Sequence, residues 1–104
     1  MNAEQAEIAL RHLTQRNNPF RVLIAMIGAS HFGTGSGGIS FRFKGCSLAN
    51  TCNISLSDDD TYRMRLLKVG RDMTVKTHVD TSSIYCDDLK FFFEQSTGLF
   101  LSLV

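Results

Sequence analysis

What this chain lacks narrows it before any residue is singled out. It has no apolar run able to span a bilayer: the longest, Val22 to Ile27, is far too short, and the C-terminal Leu99 to Val104 is shorter than a membrane anchor. Its cysteines, Cys46, Cys52 and Cys86, include no C-x-x-C pair, so the knuckle geometry of a structural zinc site is missing even with His12, His31 and His78 present. The N-terminus lacks a basic-then-apolar signal layout, and an odd number of cysteines without a secretory leader gives a reducing cytoplasm as the expected location. Tryptophan is absent, yet eight phenylalanines and four methionines supply the bulk for one core without staples. A net charge of +1 excludes both a strongly acidic nucleic-acid mimic and a polybasic binder. Any electrostatic role must therefore rest on where the charges lie.

What is present is alternation. Ile39, Phe41 and Phe43 alternate with Ser40, Arg42 and Lys44; Cys52, Ile54 and Leu56 with Thr51, Asn53 and Ser55; Tyr62, Met64 and Leu66 with Arg63 and Arg65. Met73, Val75, Thr77 and Val79 would share the inner face in a fourth strand, leaving Thr74, Lys76 and His78 outward. Successive side chains of a strand point to opposite faces, so these runs predict four half-buried strands. Their links, Gly45 to Asn50, Ser57 to Asp60 and Gly70 to Asp72, are short and rich in turn residues, which implies an antiparallel meander. The acidic run Asp58 to Asp60 has no EF-hand spacing and reads as a solvated hairpin tip.

Around that meander, Asn2 to Arg16 predicts a helix with Asn2 and Gln5 as a capping box, stopped by Asn17, Asn18 and Pro19. The apolar, β-branched run Phe20 to Ile27 predicts a first, central strand buried on both sides. Gly28 to Gly38 reads as a loop. Its Gly33, Gly35 and Gly38 match G-x-G-x-x-G, but a strand pattern follows where a dinucleotide site needs a helix. Asp87 to Thr97 predicts a second helix closed by Gly98, with the following LFLSL run as an edge strand or packed tail, and Phe91 near a boundary or a partner. The expectation is one α+β domain over residues 1–104: an N-terminal helix and cap (1–19), a five-stranded mainly antiparallel sheet (20–79) with its glycine-rich loop (28–38), and a C-terminal helix and tail (84–104). The predicted core comprises Leu10, Leu13, Leu23, Ile27, Phe41, Phe43, Ile54, Leu56, Met64, Leu66, Val75, Leu89, Phe92 and Phe93.

Arg42, Lys44, Arg63, Arg65 and Lys76 all fall on the predicted outer face, with His78 beside them and no acidic residue between. Such a stripe can attract phosphates or an acidic partner, although long cations also solvate an open sheet face. The face carries no aromatic platform of the kind that binds single-stranded nucleic acid. No catalytic constellation, cofactor motif or metal-ligand spacing is found, and no cofactor is expected.

Several segments carry a resemblance. Ile24-Ala25-Met26, Gly28 and Ala29, the Phe41, Phe43, Lys44 and Gly45 strand, Ile54 and Leu56, and Asp60 with Tyr62 recur in order. They are followed by the ending Asp88, Leu89, Phe93, Glu94, Thr97, Gly98, Leu99, Ser102 and Leu103. In these the chain resembles a widespread family of small uncharacterised proteins of bacteriophages, prophages and other mobile elements, departing from it in the first helix and the GTGSGG stretch. The resemblance brings no catalytic residues. It implies only a mobile-element origin inside a bacterial cell. Together with the absence of catalytic signals, that origin gives a non-enzymatic binding protein, a counter-defence (anti-CRISPR-like) inhibitor of a host protein or nucleoprotein complex, as the leading expectation. The basic face and the unplaced phenylalanine give Arg42, Lys44, Arg63, Arg65, Lys76 and Phe91 as its candidate contacts. A nucleic-acid-binding accessory protein using the basic face is the alternative, and a small enzyme with an unrecognised Cys/His site the third.

Overall fold

A computed structural model of the chain describes residues 2–35 and 38–101. Helix α1, Ala3–Thr14, opens on the predicted capping box: the Gln5 amide donates to Asn2 Oδ1 at 2.8 Å, and the Asn2 amide donates to Gln5 Oε1 at 3.1 Å. It ends earlier than the sequence suggests, at a left-handed Gln15.

The stretch expected to be the central strand is instead helix α2, Pro19–Ile27. Pro19 does not merely stop α1; it occupies the first turn of the next helix, where its missing N–H costs nothing and its fixed φ is already helical. The buried residues Pro19, Leu23 and Ile27 are spaced by four and form one stripe, which the neighbouring β-branched residues disguise. Gly28, at φ 61°, closes α2 with its amide on Ile24 O, while the Ala29 amide reaches Leu23 O.

The fifth strand comes from the predicted loop. Strand β1, Ser30–Gly35, precedes β2, Gly38–Arg42, β3, Thr51–Leu56, β4, Tyr62–Val69, and β5, Val75–Ile84. These pair in sequence order as one antiparallel sheet. Gly33, Gly35 and Gly38 thus lie in a β-hairpin and open no helix. Gly38 has φ 101°, and a Cβ there would lie 2.1 Å from Ile54 O. The glycine permits the two backbones to approach. A single 3-10 turn, Cys86–Asp88, leads into α3, Leu89–Thr97, which closes on a left-handed Gly98 as expected.

The helices cover one face of the sheet, and the α+β reading holds. Leu10, Leu13, Leu23, Phe41, Ile54, Met64, Leu66, Leu89 and Phe93 are buried in one cluster. An aromatic row runs through it from α2 to α3, with Phe20–Phe32, Phe32–Phe41, Phe41–Phe43 and Phe43–Phe93 ring centroids 5.0, 5.6, 6.3 and 5.4 Å apart. Three core assignments fail. Leu56 is 43% exposed at its strand end, Val75 is 57% exposed because it pairs with Val69 on the open face, and Phe92 is only partly buried. Met73, expected inward, is 77% exposed at the β4–β5 turn. The tail packs as far as Leu101, which is buried and whose amide donates to Glu94 Oε2; its last residues, 102–104, lie outside the described residues, as do 36 and 37 of the glycine-rich stretch.

Candidate functional site

The register decides which cations share the open face, the one opposite the helices. Paired residues across an antiparallel ladder point the same way. Arg42 pairs with Thr51, Ser40 with Asn53, Asn53 with Arg65, and Ser55 with Arg63. Arg42, Arg63 and Arg65 therefore stand on the open face among small polar neighbours, as the alternation predicts.

Lys76 does not join them. Leu66 pairs with Val79 but Leu67 with Thr77, so β5 carries an extra residue, His78, at this point. The bulge inverts the alternation below Val79, so Lys76 pairs with Lys68 on the helix side. His78 also turns to that side, where its Nε2 lies 2.9 Å from Ser96 O. Lys44 lies just past β2; its aliphatic stem covers Gly28, with Cδ 3.3 Å from where a Cβ would stand, and its amide donates to Ile27 O at 2.9 Å. Phe91 belongs to the helical layer. It is 60% exposed on α3, edge-to-face with Phe92 at 6.1 Å, and shares no surface with the arginines.

The absence of acid on the face is also corrected. Strand β5 extends to Ile84, and Asp80 pairs with Arg65 across the ladder. Its carboxylate accepts two hydrogen bonds from Arg63, Nε to Oδ1 at 2.8 Å and Nη2 to Oδ2 at 2.7 Å. The bidentate bond holds the Asp80 carboxyl below its ordinary range and raises Arg63 above its own. Arg65, half-buried, has an Nε without a hydrogen-bond partner among the described residues. Asp80 was legible in principle: extending the last strand by one residue past Val79 places it outward beside the arginines.

The five predicted cations thus fall into three places: Arg63 and Arg65 about Asp80; Lys76 with Lys68; and Arg42 with Lys44. The last two flank concavities. One, of about 510 Å³, is lined by Lys68, Lys76, Thr77 and His78 among others. The other, of about 230 Å³, lies at the β1–β2 corner and takes in Ser30, His31, Arg42 and Lys44. His31 falls in a stretch that reads as a loop from sequence; only its place in a strand with a register shift brings it there.

His12 Nδ1 lies 2.7 Å from the Tyr62 hydroxyl, and burial raises the Tyr62 pKa. Cys52 is fully buried and its thiol is pushed far up by desolvation, while the half-buried Cys86 points its thiol at Asp87. Among the described residues no three His, Cys, Asp or Glu gather where they could hold a metal ion, and no helix is long and apolar enough to cross a membrane. No protein-family model, curated protein or solved structure matches the chain.

Proposed function

We propose that the protein is a non-enzymatic binding module that docks the open face of its sheet onto an acidic protein surface. The observation that carries this reading is the charge of that face: Arg42, Arg63 and Arg65 project from it, and Asp80 is the only acidic residue in any strand among the described residues. Uncharged, short side chains at Ser40, Asn53 and Ser55 accompany them, so a partner meets polar surface interspersed with cations. The resemblance to small phage and mobile-element proteins supports a host complex as the partner, and with it a counter-defence role inside the bacterial cell. Nucleic acid is the second reading, favoured by the same arginines and weakened by the lack of stacking aromatics among them.

The test is affinity capture from a prophage-bearing bacterial host, comparing the wild type with a variant carrying Arg42→Ser, Arg63→Ser and Arg65→Ser. A protein complex retained by the wild type after nuclease treatment and lost by the variant is the expected result. Retention that depends on nucleic acid and falls steeply with salt would install the second reading. Equal retention by both proteins would remove the open face from consideration.

A further inference from the structure

We infer that the concavity at the β1–β2 corner is a binding site for a small oxyanion of the phosphate class. Four nitrogen-bearing side chains, those of His31, Arg42, Lys44 and Asn50, line a space of about 230 Å³, and of these the Asn50 amide already donates to Val69 O at 2.9 Å. The guanidinium of Arg42 and the ammonium of Lys44 make no hydrogen bond or ion pair among the described residues. No carboxylate side chain occurs anywhere between Glu7 and Asp58, so none of the elements that build this corner carries a native counter-charge. Two uncompensated cations beside a shared concavity repel each other, and an anion seated between them relieves that repulsion.

The backbone supports the same reading. His31 holds φ 56°, a left-handed conformation that a non-glycine residue adopts at a cost, at the register shift of β1. Its Nδ1 lies 2.9 Å from Ser30 Oγ. In the tautomer where Ser30 donates to Nδ1, the ring proton sits on Nε2, which becomes a third donor. Gly28 lets the Lys44 stem lie flat across the end of α2. The larger concavity, on the β4–β5 side of the sheet, is less suited. Its Lys68 ammonium already donates to Ser47 O at 2.7 Å, and the ring of its His78 is engaged by Ser96 O.

This site requires no protein partner, so it stands or falls apart from the docking of the open face. The experiment titrates the free protein with pyrophosphate, and separately with ADP, following backbone amide resonances. Saturable shifts centred on Gly28, His31 and Lys44 are expected. Lys44→Gln should weaken binding about tenfold, as loss of one charge-assisted contact does, whereas Lys76→Gln should leave it unchanged. Arg42→Gln, at a second exposed position, repeats the test if the first variant is poorly folded. Equal affinity for both probes assigns the site to the free phosphate group, and tighter ADP binding to a nucleotide's phosphates. Shifts that never saturate, that spread equally to Lys68 and Lys76, or that survive both corner substitutions would overturn the proposal.

Discussion

The two faces of the sheet are built from neighbouring residues of the same strands, yet they answer to different chemistry. On the helix-covered face Ile39, Phe41, Ile54, Met64 and Leu66 are each no more than 1% exposed and interlock with α1, α2 and α3. One residue along, Ser40, Arg42, Asn53, Arg63 and Arg65 meet solvent wholly or in part. Packing dictates the inner set, because a cavity or a buried charge there costs a large fraction of the stability of a domain this size. Nothing comparable dictates the outer set. Its arginines contribute little to the core, and changing them should leave the fold standing.

The sharpest way to break the comparison is Phe41→Asp, which places a carboxylate inside the aromatic row. Loss of the ring alone costs about 3–5 kcal/mol, and the buried charge adds to it, so the protein should be unfolded in buffer. Circular dichroism that stayed native with an unchanged urea midpoint would show the inward assignment to be wrong. Gly38→Ala should come next. The added methyl meets Ile54 O and demands a positive φ, so the β2–β3 ladder must part locally, at a cost of about 2 kcal/mol or more, read as a lower urea midpoint.

The smallest effect belongs to the open face. Arg63→Ser should barely move the urea midpoint at neutral pH, since both ion-pair partners are about half exposed. It should show instead in titration. A carboxyl lowered in the folded state contributes stability above its unfolded pKa of about 3.9 and loses it as pH falls through the lowered folded value. In the variant the Asp80 carboxyl should titrate at higher pH than in the wild type, as followed by carbon NMR, and that part of the acid dependence should vanish. An unshifted Asp80 would mean that the bidentate pair does not form in solution.

The same contrast explains what could be read from the chain. Strands β2, β3 and β4 have one face buried and one open, so their composition carries the period of two, and their positions follow from it. Helix α2 resembles a strand in sequence because Val22, Ile24 and Ile27 are β-branched, a weak preference that the buried Pro19, Leu23 and Ile27 stripe overrides. Strand β1 has little apolar signal beyond Phe32, which packs on Phe41 by virtue of tertiary neighbours no local pattern reports. The basic face was legible for Arg42, Arg63 and Arg65. It failed for Lys76 because a single extra residue at His78 reverses the faces of Val75, Lys76 and Thr77 before it, and such a bulge leaves no mark in hydrophobicity.

Both outer strands of the sheet are irregular. Strand β1 shifts register between Ser30 and Gly33, and β5 shifts twice along its length, with His31 and Ser83 in left-handed conformations. A straight outer strand offers a ladder of free amides and carbonyls on which another chain can crystallise as an added strand, the route to fibrils and runaway assembly. Here each ladder is interrupted before it is long enough to template. Copies crowded at high concentration therefore gain little by pairing edge to edge.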